Sequence, residues 1–284
     1  MIYWNVGLKG KAEEQFRLCG ERPDFAPFYL ARAELFAEDE SLVEAGIERA
    51  RELDPEDWRA ALAQVHYDLG HGRAGEARAL SKAFLETHPE NSEMGISYAR
   101  SLIQLRQFQE AVAFLETFNV LPYEGATVGR RVYHEACIRA ALDALEEGEY
   151  QTAVEYGKKA KLWPKNLGVG SPYDPDNRMD DFLIAIAEMK RDNEVAADSA
   201  LSAVANYQHP AGREENSKLI LQLMALREEG KEREAQALLE GFLEENPGNR
   251  SLEWVSARFN GSGRASEIER EILGAPGEAQ PYDE

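Results

Sequence analysis

Apolar residues recur at spacings of three and four along most of this chain, in stretches interrupted by short polar turns. Ala61, Leu62, Val65 and Leu69 form one such stripe, and Ala77, Leu80 and Phe84 form the next after the turn at Gly70 and Gly72. That rhythm predicts pairs of amphipathic helices, each with one face for a core. The turn phrases repeat. Glu147-Gly148-Glu149-Tyr150-Gln151-Thr152-Ala153 runs on to Gly157, Ala160 and Pro164, and Glu229-Gly230 runs on through Ala235, Leu239 and Phe242 to Pro247. Looser copies begin at Arg106 and Gly72. Prolines at 55, 89, 122, 164, 210 and 247 punctuate the pattern at intervals of 34, 33, 42, 46 and 37 residues. A proline cannot continue a helix but suits the first turn of a new one, so each marks a junction between helix pairs. In Asp54-Pro55-Glu56-Asp57-Trp58, Asp54 is expected to cap and Pro55 to take the first helical position.

Small residues fall in the middle of the first helices (Ala31, Ala99, Ala141, Ala185) and in the second helices (Ala50, Ala77, Ala111, Ala153, Ala197, Ala235). Alanine lets two helix axes approach, while Leu30, Tyr98, Phe182 and Leu239 fill the space beside it. With a small residue in the first helix, a glycine at the turn, an alanine early in the second helix and a proline after it, the pattern resembles the tetratricopeptide repeat family. Gly230, Ala235, Leu239, Phe242 and Pro247 carry the resemblance best, and Gly148, Tyr150, Ala153, Ala160 and Pro164 carry it with one residue fewer. It spans most of Phe25 to Phe259 and implies an all-α, right-handed superhelical solenoid of antiparallel hairpins, about six to seven repeats. Two units depart from it. Val43 stands at the usual alanine of one, which has no turn glycine, and Asp192 replaces the glycine of another. A second resemblance, on Leu121-Pro122-Tyr123-Glu124-Gly125 and on the segment from Trp163 to Asp174, is to the repeat region that follows the β-rich DUF5107 domain of larger bacterial proteins. It transfers no carbohydrate-directed activity to this chain.

The expected organisation is a single repeat domain over 1–284, with an irregular insertion at 162–180 and a disordered acidic tail from about 275 to 284. Composition narrows the partners. The 32 basic against 52 acidic side chains leave a net charge of −20, which repels phosphate backbones and anionic lipid heads and favours a neutral or basic protein partner over nucleic acid or membrane. No run of about 18 uncharged apolar residues and no secretion signal is visible, and the two cysteines, Cys19 and Cys137, form no Cys-x-x-Cys pair. A cytoplasmic location follows as the expectation.

No cofactor, metal site or catalytic constellation is expected. Asp174, Asp176 and Arg178 have calcium-loop spacing, but Arg178, Met179 and Ala185 stand where the loop needs an oxygen ligand, a glycine and a glutamate. His66 and His71 are five apart and do not share a helix face. What remains is a surface. The first helices of such a solenoid line its inner face, where Arg32, Arg100, Arg131 and His134 are candidate anchors for a partner carboxylate. Trp163 and Tyr173, in the insertion, are candidate contacts; a purely structural role for that insertion stays open. The expected function is a non-catalytic protein-interaction scaffold that holds a peptide or partner domain in the groove. The alternatives are a carbohydrate-active α/α toroid enzyme, or an accessory or dimerisation arm of a larger DUF5107-type protein.

Overall fold

The computed structural model describes residues 3, 7–20, 23–122, 127–208 and 216–274, in which the regular structure is helical throughout. The expected acidic tail and Pro210 lie outside the described residues. The chain packs as two compact units, Met1–Leu121 and Pro122–Glu284.

The first unit contains α1 (Lys9–Cys19), α2 (Ala26–Leu35), α3 (Glu40–Leu53), α4 (Trp58–Gly70), α5 (Ala74–Thr87), α6 (Ser92–Gln104) and α7 (Phe108–Thr117). Three hairpins, α2/α3, α4/α5 and α6/α7, follow the lone α1, and the first helix of each pair also touches the first helix of the next. The second unit repeats the scheme with α8 (Val128–Glu146), α9 (Tyr150–Ala160), α10 (Arg178–Lys190), α11 (Glu194–Ala205), α12 (Leu219–Glu228), α13 (Glu232–Glu245), α14 (Arg250–Phe259) and α15 (Ala265–Gly274). Each unit is an all-α stack of antiparallel hairpins, consistent with a tetratricopeptide-like solenoid. Within a unit, neighbouring hairpins bury their stripes against one another, so the core runs on from pair to pair. Phe182, Leu201, Leu223, Leu239, Leu252 and Phe259 belong to one such continuous cluster.

The turns inside six hairpins share one geometry. The residue just past the first helix has a positive φ: Gly72 (72°), Gly148 (79°), Gly230 (75°) and Gly261 (65°), but also Arg106 (58°) and Asp192 (56°). The next N–H reaches back to a carbonyl five residues earlier: Arg73 to Asp68 (2.8 Å), Gln107 to Leu102 (2.8 Å), Glu149 to Ala144 (2.7 Å), Asn193 to Glu188 (3.0 Å), Lys231 to Leu226 (2.8 Å) and Ser262 to Ala257 (2.8 Å). These are Schellman ends, which satisfy carbonyls that the helix leaves open. Asp192 therefore takes the backbone conformation of the glycine it replaces.

The starts are equally regular, but differ from expectation at Pro55. Helix α4 begins at Trp58, capped by Asp57, whose carboxylate accepts from the Arg59 N–H at 3.0 Å; Asp54 and Pro55 lie in the turn before it. The cap stands two residues after the proline because the turn must first reverse the chain. Asn91 after Pro89 and Asn249 after Pro247 do the same, accepting from Met94 and Leu252. Pro164-Lys165-Asn166 copies that phrase, yet only a 3₁₀ turn, Lys165–Leu167, forms before Gly168 at φ 75° ends it. The irregular segment then runs to residue 177, so Asp180 and Asp181 lie in the first turn of α10, at the favourable end of its dipole.

Of the alanines singled out by spacing, all are buried except Ala31. In the first hairpin the close approach is made two residues later, by Ala33 against Gly46. A Cβ on Gly46 would stand 3.0 Å from the Tyr29 carbonyl oxygen and 3.2 Å from the Ala33 Cβ. That shift of register leaves Ala31 and Val43 off the buried seam.

Candidate binding groove

Displacing Ala31 and Val43 opens a groove of about 920 Å³ in the first unit, walled by α2 and α4 with α3 beside them. Helices α2 and α4 run in the same direction along it. Ala26 and Ala60, near their starts, share a buried cluster with Tyr29 and Ala50. At their far ends, Glu40 meets Tyr67 (3.4 Å) and His71 (3.1 Å). The groove consequently has two unlike ends. Near the helix starts Pro27, Leu30 and Leu62 are half-buried and the Trp58 ring is 38% exposed, so apolar surface faces solvent. Towards the helix ends the lining turns to exposed Glu34, Glu38 and Glu40, with His66 and His71 on the facing wall.

The polar groups of this lining are differently engaged. Arg59 is held by the Asp57 carboxylate at 2.9 Å, and His66 Nε2 bonds Ser97 Oγ at 3.1 Å across to α6. Burial pushes the Asp57 carboxyl up, but bonds from the Arg59 side chain and backbone outweigh it and leave its pKa lowered. Among the described residues, neither Glu34 nor Glu38 is joined to a basic side chain.

In the second unit the irregular segment is tied down at both ends. At its start the Trp163 ring lies against the Arg130 guanidinium, 4.6 Å from the ring centre, while Arg130 donates to the Ala160 carbonyl at 2.6 Å. Burial lowers the Arg130 pKa, partly countered by the charge of Asp180. At its end Arg178, 3% exposed, grips Asp176 with two bonds of 2.9 and 2.8 Å and stacks 4.2 Å over Tyr207; Lys218 adds a contact to Asp176 at 3.4 Å. Burial raises Asp176, but these donors prevail and hold its pKa at about 2. Asp181 goes the other way, since burial pushes its carboxyl up against the pull of Lys161 at 2.6 Å. Leu167 is buried beneath. Asp176, a calcium-loop position by spacing, thus serves as a clamp.

The six residues chosen from sequence are dispersed. Arg32 is 5% exposed, its guanidinium stacked on Tyr29 at 5.0 Å, and Arg100 on α6 is half-buried. Arg131 is exposed on α8, and half-buried His134 donates from Nε2 to the buried Asp180 at 2.7 Å. Trp163 packs on Arg130, and Tyr173 is wholly exposed at the tip of the segment. The structure brings His134 and Trp163 towards one buried network, through Asp180 and Arg130, and leaves Arg131 and Tyr173 facing solvent. Sequence reasoning missed Trp58, Leu62 and Glu34. Their signal was the departure of the first hairpin from the repeat, at Val43.

Among the described residues no group of three or more His, Cys, Asp or Glu side chains could hold a metal ion, and no helix is long and apolar enough to cross a membrane. No family model matches the chain, and no curated protein matches it. Among solved structures, one from the functional characterization of Pseudomonas aeruginosa pilF is similar over 88% of this chain and 99% of that chain, at 15% identity and a TM-score of 0.44.

Proposed function

We propose that this protein is a non-catalytic interaction scaffold that holds a peptide segment of a partner protein in the α2/α4 groove. The observation that carries the reading is the groove itself: half-buried apolar side chains face open space along two parallel helices, where an isolated repeat core would have closed over them. A concave apolar strip rimmed by charge recognises by shape, with a few ionic contacts fixing register. The partner is neutral or basic, given the net charge of −20, and Cys19 and Cys137, which are not joined in a disulfide, fit a reducing, cytoplasmic setting. The place of the module within a longer DUF5107-type protein rests on the resemblance at residues 121–125 and 163–174 alone.

The test is selection from a random dodecapeptide display library on the full chain, followed by binding measurements on synthetic peptides. Leu62→Asp and Ala31→Arg should each weaken the selected peptides by about tenfold or more, with the helical circular dichroism retained. Peptides that bind both variants as well as the parent protein would place recognition elsewhere.

A further inference from the structure

The unequal ends of the groove carry more than its existence does. Pro27, Trp58 and Leu62 gather apolar surface at the end where α2 and α4 begin, whereas Glu34 and Glu38 stand towards the other end with no basic side chain joined to either. Glu40, beside them, is already engaged by His71 at 3.1 Å. Two carboxylates held at the rim of a low-polarity groove attract a cation more strongly than the same groups in open solvent. From Pro27 to Glu34 is two turns of α2, about 10 Å at 1.5 Å per residue.

Resting on the scaffold reading, we infer that the groove reads a bipartite peptide: an apolar anchor seated between Pro27, Trp58 and Leu62, and a lysine or arginine seated at Glu34 and Glu38. The two partner side chains stand about 10 Å apart, which an extended peptide spans in about three residues. The carboxylates fix the direction in which the peptide lies, because reversing it would place the cation over leucine and tryptophan and leave the anchor in water. The tryptophan ring adds apolar area at the anchor end. The groove therefore discriminates by charge at one end and by size at the other.

The probes are the library-selected dodecapeptides, labelled with fluorescein and titrated with the full chain by fluorescence anisotropy. Selected peptides should carry an apolar residue and a Lys or Arg about three positions apart. Replacing that basic residue by glutamate should weaken binding by about tenfold, and the double variant Glu34→Lys, Glu38→Lys should reverse the preference so that the glutamate peptide binds better. Both positions are exposed on the surface of α2 or just beyond it, so the variant retains its fold. Peptides that need Leu62 yet bind equally with lysine or glutamate would overturn the bipartite reading and leave the scaffold standing. Absence of any peptide that depends on Leu62 would overturn both.

Discussion

Asp176 illustrates how single residues decide the behaviour of the irregular segment. Its carboxyl, ordinarily near 3.8, is held at about 2; burial alone would have raised it, so the bonds from Arg178 and the charge of Lys218 must outweigh that cost. A carboxyl whose pKa is depressed by folding stabilises the fold in full above its unfolded value, and the contribution fades as pH falls through the folded one. Here the window runs from about pH 4 down to about pH 2, and the linkage amounts to about 2 kcal/mol. Asp176→Asn should lower the urea midpoint near pH 7 and flatten the loss of stability between pH 4 and pH 2. An unchanged acid slope would mean that the Arg178 clamp is not what holds the segment. The string of acidic residues here was visible in the sequence, but its role was not. Tyr207 and Lys218, the partners that turn Asp176 and Arg178 into a clamp, come from beyond α11, and Lys218 is 42 positions away from Asp176.

Helices and turns were the most legible level, because their signals are local. The glycines of the turns and the asparagine caps after proline need only a few consecutive residues. Arg106 and Asp192 were harder to read, since the hairpin imposes a left-handed φ that their side chains do not ask for. Arg106→Gly should therefore stabilise the α6/α7 hairpin by up to about 1 kcal/mol, read as a rise in melting temperature. Gly95 in α6 should respond in the opposite sense. A Cβ there would fall 2.0 to 2.7 Å from three atoms of the Phe118 ring, which itself stacks on Phe114 at 4.8 Å. Gly95→Ala should cost about 1–3 kcal/mol in urea unfolding, and a neutral result would show that the ring swings aside freely. Neither effect follows from helix propensity, which would rank alanine above glycine at position 95.

Over the whole molecule, the hairpin stack was readable because a repeat fold asks each segment only to match its neighbours. The groove was not, because it arises where that match is imperfect. In the sequence Val43 is only a departure from the alanine of the repeat, whereas the structure turns it into a register shift that Gly46 and Ala33 absorb, with Ala31 and Val43 released to line the groove. The large insertion is the most irregular part of the sequence, yet its buried polar side chains, Arg178 and Asp180, and the half-buried Asp176 are spent on holding it in place. The proposal of one repeat domain over 1–284 predicts a single calorimetric unfolding transition, and two well-separated transitions would contradict it.

The central claim, that recognition occurs between α2 and α4, is most directly tested by amide hydrogen exchange of the full chain with and without a saturating library-selected peptide. Protection concentrated in residues 26–35 and 58–70 is the predicted result; protection confined to residues 127–208, with α2 and α4 unchanged, would contradict the account.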